Sequence, residues 1–154
     1  MTRGLLDLDN PWLTVHDGDL RALALFKRHY SYRRRAHGQA RGSPTFIGQG
    51  EKMVLLTPDC LSLFAWQRST IRRDSGQGGV CCTVFRNEGP QLSSELVKMA
   101  DELADLRWPQ ERHFTYVNPG KIQSTNPGYC FLAAGWRRCG VSKGGLVILE
   151  RPPA

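Results

Sequence analysis

Apolar positions recur along this chain in two rhythms. From Val80 to Phe85 they run almost without a break, as in a buried strand. From Leu92 onward, Leu92, Leu96, Val97, Ala100, Leu103 and Ala104 keep the three-and-four spacing of a helix with one buried face. Asn87 to Gln91 forms the short loop between them. Ser93 or Ser94 can cap the helix, Glu95 sits in its first turn, and Pro109 lies just past its end. A strand that feeds a helix in this way leaves unpaired N–H groups at the helix start, where a phosphate or a developing negative charge can be held.

The same reading extends to the rest of the chain. Met1 to Asp9 reads as an arm or first strand, and Asn10-Pro11 as a turn. Asp17 or Asp19 caps a helix from Leu20 to His29 or Tyr30, with Leu20, Leu23 and Ala24 as its apolar stripe. Lys52 to Thr57 and Leu61 to Gln67 are strands joined by a Pro58-Asp59-Cys60 turn. His113 to Val117 is another strand, ended by Asn118-Pro119-Gly120. Ser124, Thr125 and Asn126 can cap a short helix, Gly128 to Ala134, which stops at Gly135. Trp136 to Arg138 and Leu146 to Glu150 are the last strands. The order is helix, three strands, helix, strand, short helix, two strands. It predicts an α/β (α+β) domain spanning 1–154, a central mixed sheet flanked by helices, with the Val80 and His113 strands adjacent and parallel.

Composition adds charge to this picture. The chain has 154 residues, 40% of them hydrophobic, enough for one domain with a real core. Its formal net charge of +7 favours nucleic acid, phosphorylated cofactors or anionic surfaces as partners. The excess is concentrated at 27–41, where Lys27, Arg28, Arg33, Arg34, Arg35 and Arg41 meet no acidic residue and are interleaved with His29, Tyr30, Tyr32 and His37. Guanidinium forks bind phosphates and aromatic rings stack on bases. Arg28, Arg33, Arg34, Arg35 and Arg41, with Arg72 and Arg73, are therefore candidate nucleic-acid contacts. A flexible Gly-rich loop follows at 42–50. Ser75-Gly-Gln-Gly-Gly79 has neither the Lys-Ser/Thr ending nor the spacing of a phosphate-binding fingerprint and reads as a hairpin loop. The five cysteines, odd in number and without a CxxC pair, read as mostly reduced core thiols with no metal. No apolar run reaches transmembrane length and no secretory segment opens the chain, which points to the cytoplasm.

The element order resembles the GNAT acyltransferase superfamily over roughly residues 50 to 150, and Asn126-Pro-Gly-Tyr-Cys-Phe-Leu-Ala-Ala-Gly-Trp136 resembles its late short helix with a Gly-aromatic ending. The resemblance implies an acyl donor, acetyl-CoA or another acyl-derived compound, in a gap between the fourth and fifth strands. It places the donor's pyrophosphate on amides of the loop before the central helix, here Asn87 to Ser94. The family's Arg/Gln-x-x-Gly-x-Gly/Ala loop is absent; Asn87-Glu-Gly-Pro-Gln-Leu-Ser-Ser-Glu95 stands in its place, with Pro90 donating no N–H. His29-Tyr30-Ser31, Arg86-Asn-Glu88, Leu92-Ser-Ser-Glu-Leu96 and Tyr129 with Gly135-Trp136 together resemble the Mom-like DNA-modification proteins of bacteriophages. That narrower resemblance implies double-stranded DNA as partner, the exocyclic amine of adenine as acceptor, and protection from restriction as the outcome.

A base amine is a weak nucleophile and needs positioning, a proton acceptor and charge stabilisation at the donor carbonyl. His29, Tyr30, Glu88 and His113 are candidate bases, although Glu88 equally reads as a surface carboxylate paired with Arg86. Tyr116 and Tyr129 can donate a proton, stack on a base, or simply pack. Arg86, Asn87, Gly89, Leu92, Ser93, Ser94, Asn118 and Asn126 are the candidate donor-binding residues; for the serines and Asn118, capping is the alternative role. Two other functions fit the same sequence: an ordinary N-acyltransferase acting on a small molecule or protein, and a nucleic-acid-binding protein without catalysis. A pocket between the Val80 and His113 strands favours an enzyme; a gap filled by side chains favours the binding protein.

Overall fold

The continuous apolar runs of the two central strands require cover on both sheet faces, and they receive it. The computed structural model describes residues 10–29, 32, 44–69, 77–121 and 128–154. Within these, seven strands form one mixed sheet: β1 (Leu13–Val15), β2 (Glu51–Leu56), β3 (Ser62–Arg68), β4 (Val80–Asn87), β5 (His113–Val117), β6 (Arg137–Val141) and β7 (Val147–Arg151), in the spatial order β1-β2-β3-β4-β5-β7-β6. β4 and β5 are parallel neighbours, as expected, and every other pairing is antiparallel. α1 (Leu20–Lys27) shares one face, where Ala22 and Leu25 pack with Val54, Leu56, Leu63, Ala65 and Val84. α2 (Ser93–Arg107) and α3 (Tyr129–Ala133) share the other. There Leu96, Val97, Ala100 and Ala104 of α2 and Phe131 of α3 pack with Trp12, Leu55, Phe64, Trp66 and Trp136. The alternation Leu63-Phe64-Ala65-Trp66 thus feeds two cores, one residue to each face in turn. Among the described residues no helix is long and apolar enough to cross a membrane.

Several expectations need correction. β1 was not foreseen: the expected first strand at 1–9 lies outside the described residues. The buried positions of α1 are Ala22, Leu23 and Leu25, whereas Leu20 is exposed. Neither Ser93 nor Ser94 caps α2; the cap position falls on Leu92, which makes no side-chain cap bond. The segment expected as a flexible Gly-rich loop is pinned from Phe46 onward. Asp17 accepts from the Phe46 and Ile47 amides (2.9 and 3.2 Å) and from Lys52 Nζ (3.0 Å), Ile47 is buried, and Phe46 stacks on Phe26. At Gly50 and Gly79 the sheet demands glycine outright: φ is +109° and +117°, and a Cβ would collide with the Arg68 carbonyl at the root of the β2–β3 pair and with the Arg112 carbonyl at the root of the β4–β5 pair.

Asp19 is the cap of α1, accepting from the Arg21 and Ala22 amides at 2.9 and 3.3 Å. Its carboxyl is held down from 3.8 to about 2, chiefly by the Arg21 side chain. Asp19→Ala is expected to cost about 1 kcal/mol at neutral pH. A depressed folded-state pKa means that this contribution is complete above the ordinary carboxylate value of 3.8 and disappears as pH falls through about 2. Urea unfolding of both proteins checks this: the gap between them should close over that window, and a constant gap would contradict the cap assignment.

Candidate functional site

β4 and β5 begin as a regular parallel pair and then separate. Their register runs Val80–His113, Cys81–Phe114, Cys82–Thr115 and stops, although β4 continues to Asn87 and β5 to Val117. Two features sit at the fork. On the β3 side Trp66 pairs with Cys82 and Ala65 with Val84, so Thr83 is the extra residue of a bulge that bends β4 away. On the β5 side the buried Thr115 hydroxyl donates to the Cys82 carbonyl at 2.8 Å and clips the strands together at their last contact.

Beyond the fork lies a cleft of about 130 Å³. Its walls are Cys82, Thr83, Val84 and Phe85 of β4, Thr115, Tyr116 and Val117 of β5, His29 beyond the end of α1, and Cys130 and Phe131 of α3. Val84 belongs to the α1-side core, while Val117 and Phe131 belong to the α2-side core. The cleft therefore draws walls from both layers.

His29 is the titratable group best placed in it. A salt-bridge knot anchors the preceding residue: Arg28 donates to both Glu88 oxygens (2.7 and 3.0 Å), Arg86 bonds the same carboxylate, and Arg86 also donates to the Arg28 carbonyl (2.7 Å). The end of α1 is thereby tied to the end of β4, and His29 hydrogen-bonds the Phe85 backbone. Burial, and after it the Arg86 charge, lowers the His29 imidazole from 6.5 to about 4. At neutral pH it is uncharged, with one ring nitrogen carrying a lone pair.

For Glu88 the structure shows the ion pair with Arg86 that was its alternative reading, with Arg28 added. Arg28 and then Arg86 hold its carboxyl at about 2, and through these bonds it links the end of α1 to the end of β4. Arg28, a candidate phosphate contact, is engaged in the same knot. Asn87 is likewise occupied within its loop. It donates to the Gln91 carbonyl (2.7 Å) and Ser93 hydroxyl (2.9 Å) and accepts from the Ser62 hydroxyl (2.7 Å) and the Gly89 amide (2.9 Å). The Gly89 N–H is therefore committed to Asn87. The first amides of α2, at Ser93 and Ser94, follow an exposed Leu92 and have no side-chain cap.

Tyr116 lines the cleft; Tyr129 does not, standing 63% exposed on α3 beside Cys130 and Phe131. Asn118 closes a turn by accepting from the Gly120 amide (3.0 Å) and lies past the end of β5. His113, another candidate base, is fully buried beneath the fork and bonded to Asp101, away from the cleft walls. Tyr30, Arg33, Arg34, Arg35, Arg41, Arg72, Arg73 and Asn126 lie outside the described residues. Sequence reasoning did not single out Thr83, Thr115, Cys82, Cys130 or Phe131 for the site. The bulge and the fork that bring them together leave no local pattern. All five cysteines are free thiols. Burial pushes the Cys130 thiol up to about 11 and raises that of Cys82 as well, so both cleft thiols are protonated at neutral pH and wall the cleft without being nucleophiles. Among the described residues no three His, Cys, Asp or Glu side chains gather as a metal site would need.

Comparison of the chain with protein families, with curated proteins and with solved structures finds no match.

Proposed function

We propose that this chain is a GNAT-like transferase that places a small acyl-derived group on the exocyclic amine of a nucleobase, adenine in DNA. The observation that carries the reading is the cleft opened by the parting of β4 and β5. It lies in the gap between the fourth and fifth strands, where the resemblance puts the donor, with His29 and Tyr116 among its walls. A nucleic-acid-binding protein without catalysis has no need of such an opening. The Arg/Tyr/His segment at 27–41 and the net charge of +7 support a nucleic acid as acceptor over a small amine.

An acyl-CoA-type donor supplies the activated carbonyl. The uncapped start of α2 fits its phosphates, through the amides of Ser93 and Ser94. The engaged Gly89 N–H contributes nothing there. The amine attacks the carbonyl carbon, the new C–N bond replaces the bond to the leaving group, and the amine's proton passes to neutral His29. Tyr116, which also lines the cleft, orients the acceptor or returns a proton to the leaving group. With both cleft thiols protonated, direct transfer is favoured over a route through an acyl-cysteine.

Mass spectrometry of nucleosides from the DNA of producing cells tests the proposal. An adenosine derivative heavier by an acyl-derived group is expected. Four unchanged nucleosides would overturn the DNA reading. A product on a small amine or protein, with untouched DNA, would make the chain an ordinary N-acyltransferase.

A further inference from the structure

Strand register divides the charges of this sheet between its two ends. At the end where β4 and β5 begin, Arg68 bonds Glu51 and Glu111, Arg112 and Arg137 bond Glu150, and Arg151 bonds Asp105. The register Glu51–Arg68–Val80–His113–Arg151 carries these groups across that edge. The other end, onto which the cleft opens, is different. From Arg112 to Leu149 the sequence contains no Asp or Glu. Val117, Val147 and Val141 align there, and just beyond them lie Lys121 in the turn after β5 and Lys143 in the β6–β7 turn. Both lysines are exposed, and neither has an ion-pair partner among the described residues. Tyr129, one residue before the cleft wall, is exposed on the same half of the chain.

Resting on the functional reading above, we propose that the nucleic-acid backbone seats on this β5-side rim, with Lys121 and Lys143 on its phosphates and Tyr129 beside the nucleotide that enters the cleft. The α2 start and the Arg28–Glu88–Arg86 knot lie at the end of β4, across the fork from β5. A cleft at the edge of this cationic rim suits a charged backbone carrying small planar groups better than it suits the flat surface of a membrane.

The test is duplex-oligonucleotide binding over a series of salt concentrations, with wild type, Lys121→Ala/Lys143→Ala, Tyr129→Ala and Arg107→Ala. Each phosphate contact contributes about 0.9 to the logarithmic salt slope, so the lysine pair should flatten it by about 1.8. Arg107→Ala, which removes a charge at the other end of the sheet, should leave the slope unchanged. Tyr129→Ala should weaken binding at constant slope. The lysines are exposed, and circular dichroism confirms that the variants are folded. If wild type binds DNA and the lysine pair leaves its slope intact, or Arg107→Ala flattens it equally, the rim is misplaced while the functional reading stands. If wild type binds no DNA at low salt, the nucleic-acid reading itself fails. Lysine-dependent uptake by anionic phospholipid vesicles without DNA binding would replace the nucleic acid with a membrane surface.

Discussion

His29→Ala should lower base modification by ~10²–10⁴, the usual cost of a lost general base. Modified nucleosides from cells producing each protein give the ratio. Full activity in the variant would transfer the proton-accepting role to another cleft residue, of which Tyr116 is the nearest in kind. The same histidine has a signature that needs no donor. Burial lowers its folded-state pKa from 6.5 to about 4, so between those values the unfolded chain binds a proton on this residue that the folded chain does not. Stability must therefore fall as pH drops from 6.5 toward about 4, and the decline must be shallower in His29→Ala. Urea unfolding at a series of pH values measures this directly. Equal slopes in the two proteins would mean that His29 is solvated and not seated against Phe85. A base with this pKa also stays unprotonated through the mildly acid range, so the acid limb of activity should lie near 4 and not near 6.5. Glu88→Gln offers the contrast. Its expected effect is indirect, through release of Arg28 and Arg86 and the loosening of His29, and it should be smaller than the loss of the imidazole.

What the sequence reveals here follows the length of each signal. α2 is legible because fifteen residues repeat one apolar face. β5 is legible because polar Glu111-Arg112 and Asn118-Pro119 bracket five residues of strand. α1 has only eight residues, and its stripe admits two registers: Leu20, Leu23 and Ala24 satisfy the spacing as well as Ala22 and Leu25 do, and only the sheet beneath decides. β1 has three residues, with Leu13 exposed, and exists through its pairing with β2. The site is less legible than the fold for the same physical reason. Glu88 reads as an available carboxylate until Arg28, sixty positions away, closes on it. Asn87 and Gly89 read as a donor loop until their hydrogen bonds are seen to be spent on each other. The fork depends on where a parallel ladder stops, a property of two strands and a bulge that neither strand carries alone.

The largest stability effect should come from beneath the fork. Asp101 of α2, only 4% exposed, accepts from Trp136 Nε1 at 2.9 Å and holds His113 Nδ1 at 2.7 Å. His113 Nε2 lies 3.4 Å from Asp105, which is bound in turn by Arg151. This chain of polar groups joins α2, β5, β7 and the turn after α3 inside an otherwise aromatic core, with Trp66 against the His113 ring and Phe131 against Trp136. Asp101→Ala removes one partner and leaves two buried nitrogens without theirs, a loss expected to cost about 3–5 kcal/mol. Trp136→Phe replaces the buried indole with a smaller phenyl ring and removes one hydrogen bond, so about 2–3 kcal/mol is expected. Urea midpoints at unchanged m-value would report both. A loss below 1 kcal/mol in Asp101→Ala would show that water reaches the pair and that the network contributes little. The consequence reaches the cleft, because Trp136 packs on Phe131 and Phe131 is one of its walls. Trp136→Phe, mild enough to leave the protein folded, should therefore widen the α3 side of the cleft and lower base modification without touching His29. If its activity equals that of wild type, the α3 wall holds its place through packing alone.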